Sequence, residues 1–465
     1  MLVFPTVTPE EYDRFAGRMF WWGSAFVTVA ALLTISSAFV PGLPERVTGG
    51  VLGSTAELDS ATRELRLLLL LLGVRQLLAP IAMLGRMKMT VFRRFKELAA
   101  LDSANAILRT ALTWFLAAEG AGALALGAAF AAQVVIEAVF CGIAGRVRRS
   151  DFRWSGGSIR ETLVMMRWPL VITALISLNT QSNFLIVRWA VPISVLGIYY
   201  FAFQLANQPT MFLTSSLQNV LAPLMADQRG DSSREREGFR RVFAGAMLFV
   251  PITTIATAAF FPSLEALIWE GKWAAANGAL YFLCAGATYA TAAGLLVGPL
   301  LGLRRFRSVA LFEAAKAIGV IGGALLGCAL VRESTSLGLD SYSPSAIVGA
   351  ATGAAMSVIS VAQLAWIARV YRFGTDEVVR QLTFGPAVAI LTAVAAQSIG
   401  HSTIESLQLG PGRLSSAVEL ATVSATYLVL VVLILRFTAE STVRETIEVL
   451  PAAVRTRLLS VLRLT

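Results

Sequence analysis

The chain has 465 residues, of which 56% are hydrophobic and only 15% charged, and its mean hydropathy is +0.68. Soluble domains carry roughly 25% charged residues, so this composition excludes an ordinary soluble protein and indicates a polytopic membrane protein. The net charge is +10, and the basic residues lie between apolar segments. Membrane topology explains this pattern better than nucleic-acid binding does. Isolated cysteines and a single histidine, His401, argue against zinc clusters and histidine-dependent catalysis, and we expect no metal or cofactor.

The apolar segments predict an all-α fold with about twelve transmembrane helices. A bilayer core of about 30 Å requires roughly 20 apolar helical residues. In chain order the predicted spans cover about residues 20–40, 66–85, 98–118, 121–144, 163–188, 194–225, 240–262, 274–302, 307–331, 344–369, 381–400 and 416–436. The sixth span is long, and a kink is predicted near Pro209.

The basic residues predict the orientation of these spans. Of the 39 Lys and Arg residues, 29 fall in the two ends and alternate loops on one side, and 7 fall in the loops on the other side. Cytoplasmic loops carry the excess of positive charge. Both termini are therefore predicted to be cytoplasmic. The tail from Ala439 has the pattern of an amphipathic helix.

An internal repeat predicts two parallel, pseudo-symmetric lobes around a central cavity. The segment "RRFKELAALDSANAI", residues 93–107, is identical at seven of fifteen positions to "RRFRSVALFEAAKAI", residues 304–318. The same offset of 211 residues roughly superposes spans 1–4 on spans 7–10. The predicted domains are an N-terminal lobe at 1–150, a C-terminal lobe at 151–375, two additional helices at 376–438 and a cytoplasmic tail at 439–465.

The repeat is incomplete in the first lobe. Spans 5 and 6 precede the second lobe, and their counterparts would precede residue 1. We therefore expect the first lobe to lack two helices, either through the choice of start codon or through natural truncation.

One long segment carries a family resemblance. The run "SNFLIVRWAVPISVLGIYYFAFQLANQPTMFLTSSLQNVLAPLMADQ", residues 182–228, resembles the polysaccharide and O-antigen flippases. In such sequences a Leu-Gly-x-Tyr step opens a helix and a proline precedes a cytoplasmic loop; here these are Leu196, Gly197, Tyr199 and Pro223. The segments "RRF", "EGAGALALGAAF" and "WEGKWAAA" are similar to other stretches of the family.

The resemblance implies a transporter and not an enzyme. Members of the family are thought to move polyprenyl-pyrophosphate-linked oligosaccharides from the inner to the outer leaflet by alternating access, for cell-surface polysaccharides such as the O-antigen of lipopolysaccharide. The implied location is the bacterial inner membrane, and the chain is expected to act as a monomer. The implied partners are this substrate, membrane lipids, and the polymerase and glycosyltransferases of the pathway.

Three cations lie within predicted spans and are candidates for lining the cavity. They are Arg75, Arg109 and Lys316. Charges in the hydrocarbon layer are costly and normally face a cavity or a partner. A cationic cavity would suit a pyrophosphate, but buried ion pairs are the alternative. Glu313 lies one helical turn before Lys316, and Glu137 is a possible partner of Arg109.

A run of five polar residues, from Asn179 to Asn183, interrupts the fifth span. Asn179 and Asn183, together with Gln204 and Asn207 on the next span, would supply donors and acceptors to a sugar. Hydrogen bonding between membrane helices explains such residues equally well. Relatives in the family often have Asp at the position of Asn183, so any ion coupling through that acid is in doubt here.

Three other functions remain open. A multidrug exporter of the same superfamily would need a more acidic and aromatic site for organic cations. A membrane glycosyltransferase or polymerase would need catalytic groups near the outer face, and the longest outer loop, about residues 41–65, lacks a paired acid motif. An inactive relic is the third alternative, because two helices are predicted to be absent.

Overall fold

The computed structural model describes residues 9–40, 55–92, 94–122, 124–153, 159–339, 341–408, 410 and 412–438. All regular secondary structure in these ranges is helical, which confirms the predicted fold class. The predicted tail from Ala439 and most of the predicted outer loop lie outside the described residues.

The chain divides into two compact units, Met1–Arg167 and Trp168–Thr465, here called unit 1 and unit 2. The helices of unit 1 are α1 (Pro9–Ser37), α2 (Thr55–Val91), α3 (Phe95–Ala118) and α4 (Leu124–Ala144), followed by a 3₁₀ turn at Arg149–Phe152. Helix α2 packs along α1 and α4, and α3 packs along α4. Small residues permit this approach: a Cβ atom on Gly85 of α2 would lie 2.5 Å from the Cβ of Cys141 on α4.

The boundary between the units falls within α5 (Ile159–Ala190). The remaining helices are α6 (Ile193–Ala226), α7 (Ser232–Trp269), α8 (Asn277–Leu295), α9 (Val297–Gly302), α10 (Phe306–Arg332), α11 (Pro344–Val370), α12 (Thr375–Ser406) and α13 (Arg413–Thr438). In unit 2, α8 packs along α7 and α11, and α10 packs along α11. The predicted finer division at 375 and 438 stays a prediction.

Ten helical segments in the described residues are long and apolar enough to cross a membrane, which makes the chain a multi-pass membrane protein. The other two long helices, α3 and α6, are not among these ten. Both match predicted spans, and both carry several of the polar side chains discussed below. Helix α6 is continuous through Pro209.

The turn before the repeated segment is built in the same way in both units. Helices α3 and α10 begin at Phe95 and Phe306, which are 211 residues apart. The preceding residues have nearly equal backbone angles, φ −82° and ψ 60° at Arg94, and φ −82° and ψ 50° at Arg305. The backbone N–H of Arg94 donates to a carbonyl in α2 at 2.8 Å, and that of Arg305 to a carbonyl in α9 at 2.9 Å.

A second turn also recurs, after α4 in unit 1 and after α11 in unit 2. Arg146 and Arg372 both have left-handed backbones, with φ of 48° and 54°. The residues before them, Gly145 and Tyr371, donate their N–H groups to the final turn of the helix at 2.9 and 3.0 Å. Here the spacing is 226 residues, because α10, α11 and the connection between them are each longer than α3, α4 and their connection. The sequence repeat is therefore also a repeat of local structure.

Candidate functional site

Two of the three predicted cations lie beside one aromatic ring in unit 1. The guanidinium carbon of Arg75, on α2, is 5.2 Å from the ring centroid of Phe130, on α4. That of Arg109, on α3, is 5.4 Å from the same centroid. Aromatic faces attract guanidinium groups at this range. The structure thus brings the two arginines to within about 11 Å of each other.

A third arginine joins two acids in a second polar layer. Arg86 on α2 forms an ion pair with Asp102 on α3 at 2.7 Å, and another with Glu137 on α4. The side chains of Arg86 and Glu137 are only 19% and 15% exposed, whereas that of Asp102 is 60% exposed. The predicted pairing of Glu137 with Arg109 is therefore wrong. Glu137 forms its ion pair with Arg86 instead, and it lies two turns along α4 from Phe130, the ring beside Arg109.

These two layers lie on the same faces of the three helices. Arg75 and Arg86 are eleven residues apart on α2, which is three turns of an α-helix and a rotation of about 20°. Arg109 lies seven residues from Asp102 on α3, and Phe130 lies seven residues from Glu137 on α4, two turns in each case. Unit 1 therefore presents two polar layers on one face of its helices, here called the arginine face, and the layers lie about 10–16 Å apart along the helices.

The arginine face is accessible in unit 1. Arg109 and Asp102 are exposed, and Arg75 is half-buried. Ionised side chains at this depth are costly in contact with lipid and normally face protein or water. The neighbouring apolar side chains on other faces, such as Ile107 and Trp114, suit a lipid environment instead. The helices of unit 1 thus separate an apolar face from a charged one.

The third predicted cation, Lys316, lies in unit 2 and is paired. Its ammonium nitrogen is 3.3 Å from a carboxylate oxygen of Glu313, one turn earlier on α10, which confirms the predicted partner. The two side chains are 10% and 8% exposed. A closed pair of this kind favours the structural interpretation of Lys316. Its role in lining a cavity stays a prediction.

Asn183 belongs to a buried network of neutral groups in unit 2. It is completely buried, and its amide donates to the hydroxyl of Tyr199 at 3.3 Å. Tyr199 in turn donates to the hydroxyl of Thr352 at 3.3 Å, which links α5, α6 and α11. In this conformation Asn183 is enclosed by protein and has no free surface for a sugar. Packing between helices is the role that the structure gives it.

The other polar candidates are more accessible. Asn179 on α5 is half-buried. Gln204 on α6 is also half-buried and donates to the hydroxyl of the exposed Tyr200 at 2.8 Å. Asn207 donates to the carbonyl of Phe203 in its own helix at 2.8 Å. Their predicted contact with a sugar stays a prediction.

Sequence reasoning did not identify Phe130, Arg86 or Asp102 as part of the site. A count of residues from the helix ends would have found them. Arg86, Asp102 and Glu137 each lie five to seven residues from the helix end nearest the turns at Arg94 and Arg146. Arg75, Arg109 and Phe130 lie about fourteen to sixteen residues from the same ends. Residues of equal depth on antiparallel helices meet, so depth was the missing signal.

The helices define an all-helical, multi-pass membrane protein, and the arginine face places charged side chains within its spans. Residues 61–276 match the model of a family described as polysaccharide biosynthesis protein. A solved structure described as the lipid II flippase MurJ in an inward closed conformation shares the fold with a TM-score of 0.62, at 13% identity. The match covers 93% of this chain and 86% of that one. No curated protein sequence matches the chain. The family match supports the resemblance over residues 61–276, and the structural match shows that the fold is shared.

Proposed function

We propose that the protein moves a polyprenyl-pyrophosphate-linked oligosaccharide from the cytoplasmic to the outer leaflet of a bacterial inner membrane, by alternating access, for cell-surface polysaccharide synthesis. The family match and the fold support transport of a lipid-linked substrate. The excess of basic residues on one side supports cytoplasmic termini. We further propose that the chain acts as a monomer beside the polymerase and glycosyltransferases of its pathway.

The observation that carries this proposal is the pair of arginines around Phe130. A pyrophosphate needs fixed positive charge, and guanidinium groups bind phosphate oxygens in a planar, bidentate manner. Arg75 and Arg109 reach one location from two helices and are accessible or half-buried. In the proposed mechanism they hold the pyrophosphate, while the lipid tail remains in the bilayer. Asn179, Gln204 and Asn207 are proposed to contact the sugars.

The second polar layer, formed by Arg86, Asp102 and Glu137, has a different proposed role. Arg86 is occupied by two carboxylates, so it offers little free charge to a phosphate. Two acids against one cation give this layer a net charge of −1. We propose that it ties α2, α3 and α4 together and leaves binding of the pyrophosphate to Arg75 and Arg109.

The test is a translocation assay in proteoliposomes. A polyprenyl-pyrophosphate oligosaccharide labelled on its sugar is incorporated, and its accessibility to a membrane-impermeant quencher is followed with time. We expect the double variant Arg75→Gln, Arg109→Gln to lower the rate at least about a hundredfold, since two charge-assisted contacts are lost. Arg188→Gln is the matched control, because Arg188 is an exposed arginine near the end of α5. Its rate should equal that of the wild type.

The alternative functions predict other results in the same assay. Transport of an organic-cation dye in preference to the lipid-linked sugar would overturn the proposal in favour of a multidrug exporter. Release or elongation of the oligosaccharide would indicate a glycosyltransferase or polymerase. A folded protein that moves neither substrate would indicate a relic.

A further inference from the structure

Unit 1 also has a basic cavity, whose described lining residues do not belong to the arginine face. It has a volume of about 560 Å³ and lies at the turns that follow α2 and α4. The described residues that line it are Ala16, Lys88, Phe92, Arg94, Gly145, Arg146, Arg148 and Asp151. Ligand cavities in proteins commonly measure about 300–1,000 Å³. The size therefore suits a phosphate or diphosphate group with part of its attached chain.

One ion pair builds the wall of this cavity. The ammonium nitrogen of Lys88 is 2.7 Å from a carboxylate oxygen of Asp151, and it also donates to the carbonyl of Arg146 at 2.9 Å. The same carboxylate oxygen accepts the backbone N–H of Arg148 at 2.8 Å. Asp151 is 6% exposed. These bonds fix the loop after α4 against the end of α2, so the cavity has a defined shape.

The remaining charges at this cavity are positive. Asp151 is the only carboxylate among the described lining residues, and Lys88 already neutralises it. Arg94, Arg146 and Arg148 leave a net charge of +3. Arg94 is half-buried and anchored through the carbonyl of Ala144 at 2.9 Å, whereas Arg146 and Arg148 are exposed. Basic loops can set membrane topology without forming a cavity. The position of these three arginines around one cavity therefore indicates a role beyond topology.

Unit 2 builds the same turns with different side chains. Tyr371 replaces Gly145 in the repeated turn, is 6% exposed, and stacks on Phe239 with ring centroids 3.9 Å apart. Arg305, the counterpart of Arg94, lies over the ring of Tyr371 and 3.7 Å from Glu235. Burial raises the pKa of Tyr371 to about 12, as expected in a closed site. In unit 2 an aromatic ring therefore occupies the position of Gly145, and the carboxylate of Glu235 lies beside the counterpart of Arg94.

We propose that the cavity at Arg94, Arg146 and Arg148 binds the phosphate or diphosphate headgroup of a lipid at the membrane surface. Guanidinium groups recognise phosphate oxygens through charge-assisted hydrogen bonds. The turns that hold these residues lie next to the ends of the membrane-spanning helices α2 and α4, where we infer that lipid headgroups lie. Basic pockets at this depth bind anionic headgroups. The source is either an anionic phospholipid or a polyprenyl diphosphate. The inference does not depend on the proposed transport function.

The test measures binding to the full chain in neutral detergent, in the Arg75→Gln, Arg109→Gln background, so that the arginine face does not contribute. The fluorescent probe is a short-chain polyprenyl diphosphate, and the competitors are inorganic pyrophosphate and phosphatidylglycerol. We expect the further changes Arg146→Gln and Arg148→Gln to weaken probe binding at least about tenfold. The matched control changes are Arg372→Gln and Arg380→Gln in unit 2. Arg372 has the same left-handed backbone as Arg146, and both control arginines are exposed.

The competitors identify the source of the headgroup. Displacement by inorganic pyrophosphate at low concentration supports the diphosphate, and displacement only by phosphatidylglycerol supports an anionic phospholipid. Equal weakening by the unit 1 and unit 2 changes would overturn the proposal, because it would show a general effect of surface charge. Unchanged binding in the unit 1 variant would overturn it as well. Failure here leaves the translocation assay, which tests other residues, unaffected.

Discussion

Unit 1 and unit 2 place their charges differently on the same arrangement of turns and helices. In unit 2 the acid Glu313 and the cation Lys316 share one helix, and both are nearly buried. At the matching positions unit 1 has Asp102 and Asn105, and its cation, Arg86, comes from a neighbouring helix. The pair in unit 2 is closed on itself. In unit 1, by contrast, Asp102 remains 60% exposed.

The position of Glu137, the second acid of unit 1, is also less charged in unit 2. The spacing of the second repeated turn matches Glu137 in unit 1 with Gln363 in unit 2, and Gln363 donates to the carbonyl of Phe312 at 2.8 Å. Unit 2 thus has a neutral amide where unit 1 has a carboxylate. Ionised groups in a membrane are costly unless they face water or a partner. The difference assigns the charged, accessible face to unit 1 and a neutral, packed interior to unit 2.

The largest expected effect is on stability, in unit 1. Arg86→Met leaves two carboxylates without their shared cation, and Glu137 is only 15% exposed. Breaking a buried ion pair from one side costs about 3–5 kcal/mol. We therefore expect the free energy of unfolding in detergent to fall by about that amount. Adding Asp102→Asn and Glu137→Gln, which removes both uncompensated carboxylates, should restore more than half of the loss.

If Arg86→Met had the same free energy of unfolding as the wild type, this account of the second polar layer would be contradicted. An equal loss in the triple variant would also contradict it, because it would show that the arginine contributes through packing alone. Both variants can be compared by reversible unfolding in mixed micelles.

The second prediction tests whether the pair in unit 2 is closed. Lys316→Met leaves Glu313 buried and uncompensated, and we expect a loss of about 3 kcal/mol. The double variant Lys316→Met, Glu313→Leu removes both charges and should lie within about 1 kcal/mol of the wild type. Because the pair is 8–10% exposed, the double variant should also retain transport. A folded double variant without transport would show that Lys316 contacts substrate, as the cavity interpretation predicts.

The sequence predicts the helices well because the signals for them are local. All twelve predicted spans correspond to helices in the described residues, and the repeated segment marks where α3 and α10 begin. Differences occur where polar residues extend a helix past the membrane. Helix α2, for example, begins at Thr55 and not near 66, because "TAELDSATREL" can continue a helix in water.

The candidate site is less predictable, because its contacts join distant parts of the chain. The pair of Lys316 and Glu313 follows from three-residue spacing on one helix and is confirmed. The partner of Glu137 lies 51 residues away, and hydropathy alone does not give its depth. The enclosure of Asn183 depends on Tyr199 and Thr352, and Thr352 is 153 residues from Tyr199. The sequence alone therefore does not identify the partner of a polar residue in a predicted span.

The smallest expected effect concerns the neutral interior of unit 2. Asn183→Asp replaces an amide that donates to Tyr199 with a group that only accepts when ionised. The site is completely buried, so an added charge has no solvent to stabilise it. We expect a loss of about 2 kcal/mol in the free energy of unfolding, comparable to other unsatisfied buried polar groups.

A matched control is Thr352→Val, which removes only the acceptor of the Tyr199 hydroxyl and should cost about 1 kcal/mol. If Asn183→Asp were as stable as the wild type and made transport dependent on pH or on a cation, the enclosed state of Asn183 would be one of two conformations. Unit 2 would then open this network during transport, and its neutral packing would describe only one stage of the cycle. A plain loss of stability with pH-independent transport would instead keep the charged pathway in unit 1.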